Sequence, residues 1–268
     1  MIWLVAFMIT FVIGGMTGVL LAVPPVDFVL HNSAFLVAHF HNVIIGGVVF
    51  GAFAGYAYWF PKAFGFTLDE RLGKASIWCW VIGFYLAFTP LYMLGLMGMT
   101  RRLQHIPDPS WQPLLLVAEF GAVVIFCGIL CQIAQLYVSI RTREQRRVTG
   151  DPWNGRTLEW SISSPPPAYN FATLPRVETI DAFWHMKRTG RAPVEPEYET
   201  IEMPRNSPAG FITAFFAVIM GFSLIWHIWW LAIIGFLAAA TVVLIAGWNI
   251  EREHEISAAE VAQMERAR

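Results

Sequence analysis

The chain has 268 residues, 56% of them hydrophobic and 14% charged, with a mean hydropathy of +0.54. That composition excludes an ordinary soluble domain and predicts a polytopic membrane protein. The net charge of −1 singles out no partner, and no nucleic acid is expected among them.

Crossing a bilayer takes roughly 17 to 25 apolar residues. Such runs occupy 1–23, 34–60, 76–98 and 114–138, and a double-length run covers 209–248. The polar His227, within IWHIWW, divides that last run into a hairpin. Backbone polar groups in lipid must be satisfied inside each segment, so the expected fold is all-α, a transmembrane bundle of six helices. The chain then reads as four helices over 1–138, a Pro-rich loop over 139–208, the hairpin over 209–248 and a tail over 249–268. The first span lacks a basic leader and a cleavage site and is expected to remain in the membrane.

Threading six helices sorts the basic residues onto two sides. One side carries Lys62, Arg71, Lys74, ten residues from Arg141 to Arg205, and Arg252, Arg266 and Arg268; the other has only Arg101 and Arg102. The positive-inside bias makes the rich side cytoplasmic, with both termini on it. The loop opens with the basic run SIRTREQRR and reaches SSPPPAYNF, whose prolines favour an extended chain lying against that face. Tyr58, Trp59, Trp229 and Trp230 cluster near helix ends, where amphipathic rings suit the headgroup region. Cys79, Cys127 and Cys131 fall inside spans and read as packing residues.

The span at 34–60 contains VAHFHNVIIGG, with His39 and His41 two positions apart. Helical side chains advance by about 100° per residue, so these imidazoles point in nearly opposite directions, about 3 Å apart along the axis. A shared metal would want i, i+3 or i, i+4 spacing. The observed spacing suits a helix wedged between two prosthetic groups, and haem, commonly held by a neutral imidazole, is the candidate. The bland alternative is that each histidine only hydrogen-bonds a neighbouring helix. In GMTRRL, Arg101 and Arg102 oppose the charge bias, so an anionic partner is expected, and haem propionates fit a guanidinium fork. Asp27 and His31, four residues apart in PPVDFVLHNS, form either a solvated loop or a polar cluster organising propionates and water. Glu119 is either part of a proton route or a snorkelling side chain. His105, His185 and His254 read as solvated surface.

HNSAFLVAHFHNVIIGG, GMTRRL and DPWNGRTLEWSISSPPPAYNF together resemble subunit I of the haem–copper terminal oxidases, nearest the bo-type ubiquinol oxidases of bacteria. The resemblance implies the C-terminal portion of a larger bundle and assigns His39 to the iron of the oxygen-reactive high-spin haem (o- or a-type). His41 then ligates a low-spin b-type haem, with Phe40 between the two. Arg101 and Arg102 correspond to the family's propionate-binding pair, and Asp27 and His31 to groups above the oxygen-reactive haem. Asn32 and Thr100 stand where the cytochrome c branch has Asp and commonly Pro, and both departures look like the quinol branch.

The implied activity is proton-pumping ubiquinol oxidation coupled to reduction of oxygen to water, in a bacterial inner membrane. The implied partners are the missing N-terminal portion, subunits II, III and IV, ubiquinol, oxygen and lipid. The copper ligands and the second low-spin ligand belong to that missing portion. The chain is therefore expected to be a truncated, split or partial subunit, inactive alone. The rival readings are a cytochrome c oxidase or nitric oxide reductase fragment, and a transporter or structural membrane protein without haem.

Overall fold

The computed structural model describes residues 1–190, 197–249 and 253–267. Arg191, Arg252 and Arg268, counted in the charge bias, lie outside the described residues. Among those described, five helices are long and apolar enough to cross a membrane: Ile2–Leu21, Ala34–Phe64, Glu70–Leu96, Pro109–Arg141 and Trp229–Trp248. Ala209–Ile225 is a shorter apolar helix. The protein is an all-α membrane protein, as the apolar runs predict, and folds as two compact units.

The first unit holds α1 (Ile2–Leu21), the short α2 (Pro24–Leu30), α3 (Ala34–His41), α4 (Phe50–Phe64), α5 (Glu70–Leu96) and α6 (Gln112–Arg141). Between α3 and α4 the helix does not break but widens into a π-helical stretch over Asn42–Val49. Such widening is uncommon and recurs at functional sites. The sequence-based span of 34–60 was too short at its far end. Helix α4 continues through Pro61 and stops at Gly65, whose φ of 74° is left-handed backbone that glycine adopts without steric cost. Helix α5 starts at residue 70 rather than 76 because Asp69 caps it, its carboxylate accepting from the N–H of Leu72.

Helix association in lipid depends on close packing more than on burial from water, and glycine supplies the approach here. A Cβ at Gly121 of α6 would collide with the backbone of Leu86 and Ala87 in α5. One at Gly83 would lie 2.7 Å from the backbone nitrogen of Ile125. Ser76 Oγ adds a 2.9 Å hydrogen bond to Gly128 O across the same seam. On the other side of α5, Ala6, Phe50, Trp80 and Phe84 form a buried cluster joining α1, α4 and α5.

The start of the 139–208 loop is tied to the end of α4. Lys62 is buried and donates to Ile162 O at 2.8 Å and Ser163 O at 3.2 Å. Its ammonium lies 5.1 Å from the centroid of the Trp160 ring, a cation–π arrangement. Trp160, 1% exposed, donates to Tyr58 OH at 2.8 Å. Trp153 donates to Tyr58 O at 2.9 Å. Tyr58, expected as a headgroup anchor, is therefore a loop anchor, because its hydroxyl has a buried indole N–H to satisfy. Arg146 pairs with Asp69, whose backbone oxygen accepts from Gln135 Nε2 at 2.9 Å.

In the second unit, α8 (Ala209–Ile225) and α9 (Trp229–Trp248) form the expected hairpin. His227 sits exposed in its turn at a φ of 58°. Among the described residues, the Pro-rich segment and the tail carry further helices and strands. The chain also forms α7 (Ala182–Thr189), and β1 (Ile201–Pro204) pairs antiparallel with β2 (Glu253–Ile256). Helix α10 (Ala258–Arg266) begins at a capping box, Ser257 and Glu260 satisfying each other's backbone N–H. A Ser followed three residues later by Glu is a start signal carried by the sequence itself.

Gly121→Val is expected to force α5 and α6 apart and destabilise the bundle by roughly 1–3 kcal/mol, the usual cost of overpacking; a lower unfolding midpoint in detergent, with Gly15→Val as the open-site control, checks it. The N–H of Leu72 and, to a smaller extent, the Arg146 charge hold the Asp69 carboxyl below its ordinary value of 3.8, against the opposing effect of burial. A depressed carboxylate stabilises the fold fully above its unfolded pKa, and this contribution is lost as pH falls through the folded value. Asp69→Asn should therefore melt below the wild type near neutral pH, and the gap should close as the solution is acidified below pH 3.8.

Candidate functional site

His39 and His41 lie in the last turn of α3 and are turned toward different neighbours. The His39 ring faces α1, where Gly18 leaves room for it: a Cβ at Gly18 would sit 2.8 Å from His39 Cε1. Its Nδ1 is 3.1 Å from Gly14 O and 3.0 Å from Thr17 Oγ1. The His41 ring instead stacks on Phe88 of α5, centroids 4.4 Å apart and planes 19° from parallel, with Phe40 against it at 4.5 Å. Its Nδ1 lies 2.7 Å from Val37 O, one turn back in its own helix.

A carbonyl oxygen only accepts, so both Nδ1 atoms carry their proton and each neutral ring keeps its lone pair on Nε2. Metal-ligating histidines are commonly fixed in this way, the second nitrogen donating to a carbonyl while the first faces the metal. Both residues are half-buried. Among the described residues no three His, Cys, Asp or Glu side chains gather. Each histidine thus offers one nitrogen to one partner, the donor set of an axial haem ligand rather than of a clustered metal ion. Two imidazoles with engaged Nδ1 atoms are a donor set that haem iron accepts.

At the start of α3 the structure brings the turn that carries Arg101 against Asn32 and Ser33. Ser33 and Thr100 form an antiparallel bridge, Ala34 N donates to Met99 O at 2.9 Å, and Arg101 N donates to Asn32 O at 2.9 Å. The Arg101 guanidinium grips Asn32 Oδ1 from Nη2 at 3.0 Å and Nε at 3.3 Å. Arg102, its side chain exposed, adopts a φ of 67°. A non-glycine residue held there costs on the order of 1 kcal/mol, and such strain concentrates at functional sites. Asp27 and His31 are one turn apart at the end of α2, paired at 3.3 Å. They sit on a helix rather than the loop considered from the sequence, and both are exposed, so the pair adds little stability.

The remaining candidates separate. His105 and His254 are exposed, as expected, whereas His185 is half-buried. Glu119 is exposed on α6. Sequence reasoning missed Gly14, Thr17 and Tyr92, which back the His39 ring. Thr17 Oγ1 lies 3.1 Å from Tyr92 OH, and the only sequence-level signal was hydroxyls placed inside apolar helices.

Residues 1–124 match the family described as Cytochrome C and Quinol oxidase polypeptide I. The chain is 60% identical to the "Probable cytochrome c oxidase subunit 1" of Bradyrhizobium diazoefficiens, over 99% of this chain and 41% of that protein. It is 54% identical to the "Ubiquinol oxidase subunit 1" of Acetobacter aceti, again over 99% and 41%. Identity to the "Cytochrome bo(3) ubiquinol oxidase subunit 1" of Buchnera aphidicola is also 54%, over 98% and 40%. The chain thus spans about two fifths of the length of the curated relatives it matches. A membrane fold, a helix with two oppositely engaged imidazoles and this level of identity lead to one assignment: the chain belongs to the haem–copper oxidase subunit I family, of whose members it spans a part.

Proposed function

We propose that the chain is the C-terminal portion of the catalytic subunit of a proton-translocating ubiquinol oxidase. In this reading His39 Nε2 holds the iron of the high-spin haem and His41 Nε2 that of the low-spin b-type haem. The observation that carries it is the pair of imidazoles two residues apart, each with Nδ1 engaged by a carbonyl and its ring turned to a different helix. A haem at His41 supplies one-electron transfer, and a haem at His39, with copper held elsewhere in the subunit, supplies oxygen reduction.

The chain's own residues bind and orient. Phe40 and Phe88 clamp the His41 ring, and Gly18 admits the His39 ring. Arg101 and Arg102 take the propionates, and Asp27 and His31 organise the propionates and water beside them. Engagement of Asn32 Oδ1 by Arg101 favours the quinol branch, since that oxygen is committed to a cation of the protein itself. One relative carries a cytochrome c oxidase name, so reduced cytochrome c is the alternative donor. The family resemblance supports proton translocation, the partnership with an N-terminal portion and subunits II, III and IV, and an inner-membrane location with both termini cytoplasmic. It also supports copper ligands that lie outside this chain and a fragment that is inactive alone.

The test uses the complete subunit. In reduced-minus-oxidised spectra, His41→Ala should abolish the low-spin band and leave the high-spin haem, and His39→Ala should do the reverse. Retention of both bands in both variants would sink the ligand assignment, and absence of haem from the wild type would favour the transporter reading. Oxygen uptake driven by ubiquinol but not by reduced cytochrome c is the expected donor preference.

A further inference from the structure

Behind the His39 ring, Gly14, Thr17 and Tyr92 form a closed hydrogen-bond set whose protons can be counted. Thr17 Oγ1 is 2.9 Å from Gly14 O, 3.0 Å from His39 Nδ1 and 3.1 Å from Tyr92 OH. Its single proton goes to Gly14 O, which can only accept. The two lone pairs of Thr17 then accept from His39 Nδ1–H and from Tyr92 O–H. The opposite choice, Thr17 donating to a bare Nδ1, would set that nitrogen's lone pair 3.1 Å from Gly14 O with no proton between them. His39 Nδ1–H is thus shared between two acceptors, and Tyr92, on α5, governs the strength of one of them.

We propose that Tyr92 is a positioning residue that tunes, through Thr17, the donor strength of His39 Nε2. The proposal rests on the reading of His39 as a haem ligand. An imidazole whose Nδ1–H meets a stronger acceptor gains basicity at Nε2. A stronger axial donor stabilises ferric over ferrous iron, so hydrogen bonding behind the ligand is a lever on haem potential. The Tyr92 hydroxyl draws on Thr17 Oγ1 and weakens it as an acceptor for Nδ1–H, since two donors then share the electron density of one oxygen.

A built-in control lies on the same two helices. Thr10 and Tyr85, each seven residues before Thr17 and Tyr92, make the same hydroxyl pair at 3.0 Å. A role confined to holding α1 against α5 predicts equal effects from the two tyrosines.

The experiment takes the complete subunit with its N-terminal portion and reads the iron–histidine stretch by resonance Raman, together with the midpoint potential of the high-spin haem. Tyr92→Phe should raise the stretching frequency and lower the potential, because Thr17 accepts more strongly from His39. Thr17→Val, which removes one of the two acceptors, should shift both readouts the opposite way. Thr17→Ser should restore wild-type values, and Tyr85→Phe should leave them in place. Equal shifts in the two tyrosine variants, no shift in Tyr92→Phe, or loss of the haem from Tyr92→Phe alone would each overturn the proposal. A His39→Ala subunit that keeps the wild-type stretch would show instead that the ligand reading itself has failed.

Discussion

Two backbone carbonyl groups, those of Gly14 and Val37, decide which nitrogen each imidazole presents. Without them a neutral histidine inside an apolar bundle could carry its proton on either nitrogen and present its lone pair on the other. Val37 acts within its own helix and comes with helical geometry. Gly14 acts from another helix, so its role requires α1 to lie very close to the stretch that follows the histidines. Small residues permit that approach: a Cβ on Gly14 would meet Asn42, and one on Gly46 would collide with Thr10.

Helix α5 is the common frame against which this arrangement is set. Its glycine seam fixes α6 on one side, while Phe84 and Trp80 pack toward α1 and α4 on the other. From there it sends Phe88 to the His41 ring and Tyr92, one turn further on, to the group behind His39. One rigid element therefore touches the surroundings of both imidazoles. Its start is pinned by Asp69, and the adjoining end of α4 by Lys62. A buried lysine is costly unless its charge is met, and two carbonyl oxygens and an indole face meet it here. The polar loop following α6 is thus part of the scaffold that holds the helix ends in register.

At the other end of α3, the turn carrying Arg101 and Arg102 is held by backbone pairing to Asn32 and Ser33 on the strand-like approach to the helix. The pairing also places the paired Asp27 and His31 beside the arginines in chain order, through the adjacency of His31 to Asn32. Two segments nearly 70 residues apart are thereby joined at one end of the histidine helix.

Local periodicity made the membrane class, the helical hairpin and the opposed directions of His39 and His41 legible in advance, because each follows from hydropathy or from the rotation of one residue to the next. The pairing of Asp27 with His31 is likewise a one-turn relation. The partners of the site were not legible. Thr17 reaches His39 across 22 residues and Tyr92 across 75, Arg101 meets Asn32 across 69, and Trp160 meets Tyr58 across 102. No periodic signal spans such distances. Which hydroxyl faces which ring depends on how closely two helices approach and at what rotation, and in this protein the absence of a side chain at Gly14, Gly18, Gly46 and Gly121 sets that approach.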